Sequence, residues 1–167
     1  MPRIVVAPSE TVQLPGGIEA EMFSVPGKIP LYLETQRPDL VAAPMGNTGI
    51  DLRSGGARLV YVPGAAAVSD ELQGRLAGAD VVLFDGTLFA DDEMIRAGVG
   101  AKTGRRMGHL PIDGPDGSLT RLAGLAKRRI FTHINNTNPI LIEGSPERRR
   151  VEAAGFEIAT DGLEIVL

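Results

Sequence analysis

Two histidines and one aspartate are the residues of this chain best suited to chemistry. His133 follows the β-branched and aromatic run Ile130-Phe-Thr132 and leads at once into Ile134-Asn-Asn-Thr-Asn-Pro139. A rigid strand that hands an imidazole to an amide-rich loop is a natural place for a metal ligand or an acid–base group. The alternative is a hydrogen-bonded scaffold histidine. Asp85 closes the apolar run Val81-Val-Leu-Phe84 and precedes Gly86-Thr87. If both strands open at one edge of a layered sheet, carboxylate and imidazole can share a metal or a proton. Otherwise Asp85 is a turn residue that bonds the backbone N–H groups after it. The second histidine, His109, lies in Gly104-Arg-Arg-Met-Gly-His-Leu-Pro111. That basic, glycine-rich stretch can bind an anionic substrate and supply a general acid, or it can be a surface loop with a solvated histidine.

Other candidates are weaker. Asp91, Asp92 and Glu93 could ligate a hard metal, but acids opening a helix are commonly dipole partners. Gly98-Val-Gly100 lacks the lysine and helix of a phosphate-binding loop. There is no His-x-His-x-Asp-His run, no Gly-x-Ser-x-Gly elbow and no histidine pair at i, i+4. What remains amounts to half a site.

The elements that must position these residues fall into two regimes. Over the first sixty residues, strands alternate with turns. Residues 3–7 form an apolar run, 18–25 partly alternate after the Pro15-Gly16-Gly17 turn, and 49–53 with 58–62 make a hairpin around Ser54-Gly55-Gly56. Residues 26–44 are proline-rich, and the approach to Gly46-Asn47-Thr48-Gly49 reads as a surface excursion or a plain long loop. From Ser69, a good N-cap, Leu72, Leu76 and Ala79 keep helical spacing. A buried strand over 80–86 follows, then a short helix over 91–97, a helix over 118–127 with Leu119, Leu122 and Leu125 on one side, and the strand ending at His133. Ser145 and Pro146 open a last helix that ends at Gly155. Asp161-Gly162 joins 156–160 and 163–167 as a hairpin. Strands first, then strands and helices in alternation, predict a mixed α/β layered sheet in a single domain over 1–167.

Composition excludes several classes. The 167 residues are 43% hydrophobic and 23% charged, with net charge −4, ordinary values for a soluble globular protein. Few aromatics and scattered arginines, Arg148, Arg149 and Arg150 on an expected surface helix apart, give no nucleic-acid footprint. No apolar run reaches the roughly 20 residues of a membrane span, and the start lacks signal-peptide patterning, so the cytoplasm is the expected address. With no cysteine, disulfides, thiolate catalysis and cysteine-bound zinc or iron–sulfur centres are excluded within the chain. A metal must use imidazole, carboxylate, amide or water, which suits zinc, iron or manganese.

Phe84-Asp-Gly-Thr-Leu88, Thr103-Gly-Arg-Arg-Met-Gly-His109, Gly114-Pro-Asp-Gly117, His133-Ile-Asn-Asn-Thr-Asn-Pro-Ile140, Ser145-Pro-Glu-Arg148 and Asp161-Gly162 occur in an order that resembles the carboxy-terminal half of the coenzyme PQQ biosynthesis protein B family. That family lies in the metallo-β-lactamase superfamily, near its tRNase Z branch. The resemblance implies an αββα sandwich of which this chain is the carboxy-terminal half, a mixed sheet plus helices. Family members are nearly twice as long. Their amino-terminal half carries a cysteine-rich zinc motif and the acid-and-histidine metal motif, neither of which occurs here, so the chain is expected to be a fragment, inactive alone. By the same resemblance, His133 is a metal ligand, His109 a proton-handling histidine, and Asp85 the acid closing the preceding strand, ligating or catalytic. A bridging aspartate of many relatives is replaced by Val62-Pro-Gly64, which counts against a binuclear zinc hydrolase.

The implied activity is iron- and oxygen-dependent hydroxylation of the tyrosine ring in a Glu–Tyr unit derived from a precursor peptide, in PQQ biosynthesis. The alternatives are a carrier of PQQ or its precursor to the periplasm and a zinc metallo-hydrolase. The cofactor is expected to be Fe2+, with zinc as the alternative and no metal bound by this chain alone as a third. Arg105 and Arg106 are candidates for the substrate's carboxylates, and Asn135, Asn136 and Asn138 for its amides. A halved sandwich also predicts self-association, or pairing with the amino-terminal half, to cover an apolar face.

Overall fold

The structure is a computed structural model that describes residues 10–28 and 43–167. The apolar run at 3–7 and the proline-rich stretch at 29–42 lie outside the described residues. Seven strands form one mixed sheet in sequence order: β1 (Thr11–Leu14), β2 (Ile18–Gly27), β3 (Ala43–Ser54), β4 (Ala57–Val62), β5 (Ala79–Asp85), β6 (Ala126–Thr132) and β7 (Glu157–Ile158). Neighbours from β1 to β4 are antiparallel, and β4 to β7 run parallel. The β3–β4 hairpin closes through Gly55 and Gly56 at φ 58° and 88°, a left-handed conformation that costs glycine least.

Parallel neighbours require crossovers. Between β4 and β5 runs α1 (Asp70–Leu76). Between β5 and β6 come the single turns α2 (Glu93–Arg96), α3 (Gly104–Met107) and α4 (Ser118–Arg121). A 3-10 turn (Pro139–Leu141) and α5 (Pro146–Ala153) lead to β7. Ser69 caps α1 by accepting from the Leu72 N–H, and Ser145 caps α5 by accepting from that of Arg148.

The core lies on one face of the sheet. Val62, Phe84 and Phe131 stand in register across β4, β5 and β6 and pack in one cluster with Leu72 and Leu76 of α1, Leu110, Ile112, Leu122, Ile140 and Val151. The registers Leu52↔Leu59, Leu59↔Val81 and Tyr61↔Leu83 put a second apolar set on the opposite face, since side chains alternate along a strand. Toward the outer strands, buried Asp51 accepts from Arg58 Nη2 at 2.8 Å and Arg53 Nη2 at 2.9 Å. Arg58 Nη1 also donates to Ala77 O at the end of α1, tying that helix to the sheet.

Four sequence expectations change. The helix expected over 118–127 is only α4. Gly124 turns left-handed at φ 72°, and Ala126 and Lys127 begin β6, although Leu119, Leu122 and Leu125 still pack on the core. The Asp161-Gly162 turn forms, with Leu163 N–H donating to Thr160 O, yet no hairpin results. β7 is taken up by the parallel edge of β6, and 163–167 joins no strand. The surface excursion expected on the approach to Gly46 lies mostly outside the described residues, and from Ala43 onward the chain already belongs to β3. Gly49 is required there because a Cβ would sit 2.3 Å from the Phe23 ring. The basic stretch before His109 is not a plain loop, since Thr103 Oγ accepts from the Arg106 N–H and Gly108 ends the turn at φ 88°. Among the described residues no helix is long and apolar enough to cross a membrane.

Candidate metal centre

The parallel strands β4, β5 and β6 end at one edge, and the residues just beyond their last positions build the site. After β4 comes Pro63-Gly64-Ala65, after β5 Gly86-Thr87, and after β6 His133. The β5 and β6 ends are locked together by a Gly86 N–H to Thr132 O bond of 2.7 Å and an Asn135 N–H to Thr87 O bond of 3.1 Å. Gly86 permits this approach, since a Cβ there would lie 2.9 Å from Phe131 Cβ. His109 arrives from α3, held by its N–H on Gly104 O and by the Leu110 N–H on Ala65 O.

These elements bring Asp85, His109 and His133 together, with ligand-type atoms all within 4.8 Å of one another. Asp85 is fully buried. Its Oδ2 faces His109 Nδ1 at 2.7 Å and accepts from the Ala65 N–H at 3.0 Å, while its Oδ1 accepts from the Thr87 N–H at 3.0 Å and the Thr87 hydroxyl at 2.5 Å. Four donors thus occupy the carboxylate. Burial pushes its pKa up, but the hydrogen bonds from His109 and Thr87, with the His133 imidazole close by, outweigh that and hold it below the usual range. A carboxylate oxygen that accepts here requires a proton on His109 Nδ1, and the neutral form of that ring has its lone pair on Nε2.

His133 Nδ1 sits 2.8 Å from Thr87 Oγ and 3.7 Å from Asp85 Oδ1. The nearby Asp85 carboxylate raises its pKa, against partial burial. The two imidazoles stack at 5.5 Å between centroids. His133 is the one non-glycine described residue with positive φ, 54°, a conformation that costs of order 1–3 kcal/mol and clusters at functional sites. A cavity of about 280 Å³ opens over both histidines, lined also by Asn47, Thr48, Pro63, Gly64 and Met107.

The remaining candidates separate. Asn138 is buried; its Nδ2 donates to Gly86 O at 2.8 Å and its Oδ1 accepts from the Ile140 N–H at 3.1 Å, so the structure uses it as scaffold rather than as a reader of substrate amides. Asn135 donates to Thr137 Oγ and Met94 Sδ, also within the fold. Asn136 is exposed. Arg105 is half-buried and Arg106 exposed, on α3 beside Met107 but not in the cavity wall. Asp91 accepts from the Arg105 N–H, Asp92 pairs with Arg96, and Glu93 accepts from the Phe89 N–H and the Thr137 hydroxyl, so these acids serve α2 and α3 rather than a metal. Thr87, in the sequence only part of an Asp-Gly-Thr turn, lies within the cluster, and Asn47 and Thr48, to which the sequence assigns no role, reach the cavity from β3.

A mixed sheet with an Asp–His–His cluster at its parallel edge presents a candidate metal-binding site. The Beta-lactamase superfamily domain model matches residues 2–134, and the chain belongs to that superfamily. Among curated relatives, Coenzyme PQQ synthesis protein B of Methylobacterium nodulans is 52% identical over 166 residues, 99% of this chain and 56% of the relative. The protein of the same name from Rhizobium meliloti is 57% identical over 152 residues, 90% of this chain and 50% of the relative. The crystal structure of Zn(2+)-bound PqqB from Methylobacterium extorquens matches with a TM-score of 0.86 at 49% identity, over 97% of this chain and 55% of that one. The chain therefore spans about half the length of the curated relatives it matches.

Proposed function

We propose that this chain supplies one side of a metal centre for a step in PQQ biosynthesis: hydroxylation of the tyrosine ring in a Glu–Tyr unit derived from a precursor peptide. The observation that carries the proposal is the Asp85–His109–His133 cluster at the parallel-strand edge, under an open cavity. The likeness to Coenzyme PQQ synthesis protein B supports the pathway assignment.

The donor chemistry fits a metal. His133 offers Nε2 as a ligand, and His109, anchored through Nδ1 on a buried carboxylate, offers Nε2 to take or return a proton at the substrate. Asp85, with four donors in place, orients His109 instead of ligating. Two imidazoles do not fill a coordination sphere, so further donors come from water, substrate or another polypeptide segment. Bound ferrous iron would supply oxygen activation at open positions, one oxygen atom going to the ring and the other to water with two electrons from an external reductant included in the assay. Zinc in a relative's crystal is compatible with this, because imidazole sites hold Zn2+ more tightly than Fe2+. Arg105 and Arg106 would take the substrate's carboxylates, and exposed Asn136 an amide.

The relative's zinc favours a metallo-hydrolase as the second reading. Against it, Gly64 offers no side chain to bridge two metals, and a Cβ there would meet Asn47 Nδ2 at 3.0 Å. The test loads the chain and a full-length relative separately with Fe2+ and Zn2+ and follows oxygen uptake and ring hydroxylation of a Glu–Tyr dipeptide, with and without His133→Ala. Iron-dependent hydroxylation by the full-length relative, abolished by the exchange that matches His133→Ala, is expected, with none from the chain alone. Zinc-dependent turnover without oxygen uptake, or iron-dependent hydroxylation indifferent to His133, would overturn the proposal.

A further inference from the structure

Thr87 stands at the centre of the cluster, and neither the sequence pattern nor the proposed chemistry assigns it a role. Its Oγ lies 2.5 Å from Asp85 Oδ1, 2.8 Å from His133 Nδ1, 3.1 Å from His109 Nδ1 and 3.1 Å from His133 O. A hydroxyl has one proton and two acceptor sites, so these four contacts cannot all be bonds donated by Thr87.

The allocation is forced by the carboxylate. Two oxygens at 2.5 Å without a hydrogen between them repel, and both Asp85 oxygens already accept, Oδ1 from the Thr87 N–H and Oδ2 from the Ala65 N–H, so the carboxylate is the acceptor here too. The Thr87 proton therefore lies on the Asp85 side, making a short charge-assisted bond. Toward His133 the hydroxyl oxygen is then an acceptor, so the hydrogen in the 2.8 Å contact belongs to His133 Nδ1. We propose that Thr87 is a positioning residue, whose single hydroxyl proton, committed to Asp85, fixes His133 as the Nδ1–H tautomer and leaves its Nε2 lone pair as the ligand atom. Asp85 does the same directly for His109. One buried carboxylate thus sets both rings, His109 at first hand and His133 through Thr87.

The backbone supports the same role. His133 is held at φ 54°, and its carbonyl lies beside the Thr87 hydroxyl, whose own carbonyl accepts from the Asn135 N–H. Thr87 is itself pinned by its N–H on Asp85 Oδ1. The threonine therefore sees His133 from ring and backbone at once, and a change in its hydroxyl is transmitted to the imidazole rather than absorbed by a flexible loop.

The consequence for metal binding rests on His133 being a ligand, as proposed above, but the tautomer itself does not and is measured without metal. The experiment records ring-nitrogen shifts of His109 and His133 by long-range 1H–15N correlation in the metal-free chain, at a pH high enough for both rings to be neutral. Wild type, Thr87→Ser and Thr87→Val are compared. The expected result is Nδ1–H at both rings in wild type and in Thr87→Ser, with His133 alone shifting toward Nε2–H in Thr87→Val and His109 unchanged. A parallel zinc titration should show affinity reduced roughly 10- to 100-fold in Thr87→Val, the usual cost of losing a partner that orients a ligand, and recovered in Thr87→Ser. Wild-type His133 as Nε2–H overturns the proposal, as does a Thr87→Val spectrum that keeps His133 as Nδ1–H. If Thr87→Val loses the dispersed spectrum of a folded chain, Thr87→Ala, which removes the branch as well as the hydroxyl, is judged by the same two outcomes.

Discussion

Replacing Asn138 by alanine tests whether the Asn-rich loop after β6 is scaffold or recognition surface. Asn138 is 1% exposed. Its amide bridges two backbones, donating to Gly86 O at 2.8 Å in the loop that carries Thr87 and accepting from the Ile140 N–H at 3.1 Å in the 3-10 turn. Alanine strands a buried carbonyl and a buried N–H. Each unsatisfied group costs about 1–3 kcal/mol, so the loss should be about 2–6 kcal/mol. With a urea m-value of about 2 kcal/mol/M for a chain of this size, the unfolding midpoint should fall by about 1–3 M. Asn136, two residues away and exposed, makes the matched control, and Asn136→Ala should stay within about 0.5 kcal/mol of wild type. Urea titrations followed by far-UV circular dichroism measure both. An Asn138→Ala midpoint equal to wild type, or an Asn136→Ala midpoint equally depressed, would refute the division of the loop into buried brace and exposed face.

Three further outcomes are expected. Asp51 has its pKa lowered, burial being outweighed by hydrogen bonds from Arg58 and Arg53. Its contribution is therefore fully present above the ordinary aspartate range and is lost as pH falls through the lowered folded value; Asp51→Asn should flatten that acid limb in a stability-versus-pH series. Gly86→Ala should destabilise by at least about 1–3 kcal/mol in thermal melts, because its Cβ would sit 2.9 Å from Phe131 Cβ and 3.1 Å from Thr132 O. The half-buried Leu52, Leu59, Tyr61 and Leu83 share the sheet face opposite the core, so sedimentation velocity of the chain alone should show concentration-dependent association; a strictly monomeric species over a wide concentration range would count against it.

The parallel half of the fold was legible because its signals are local and strong. Val81 to Phe84 is apolar on both faces, as a central parallel strand must be, and Ser69 and Ser145 announce their helices by capping chemistry. The signals that misled were local preferences outvoted by packing. Leu119, Leu122 and Leu125 have helical spacing, but Gly124 leaves the helix, and the same leucines reach the core from a turn. Asp161-Gly162 makes its turn without a hairpin, because β7 pairs with the parallel edge of β6 and 163–167 joins no strand. Asp85 and His133 were visible as strand-ending residues; that Thr87 lies between them was not. Its role depends on the register Asp85↔Thr132, a long-range fact that no spacing encodes.

That register also explains why strain collects at His133. Pairing Asp85 with Thr132 places the next residue of β6 beside the Asp85–Thr87 turn, where an extended backbone would carry the imidazole onward along the strand. The left-handed φ of 54° turns the chain instead, and the ring meets the Thr87 hydroxyl while the Asn135 N–H reaches Thr87 O. A glycine would adopt this conformation more cheaply but would bring no ring, so the cost is tied to the imidazole itself. His109 reaches the same carboxylate from α3 without such strain, because the capped turn from Thr103 to Gly108 already aims it. Under the proposed roles, the strained position belongs to the metal ligand, which has to hold a fixed point, and the turn-borne position to the histidine that would exchange a proton.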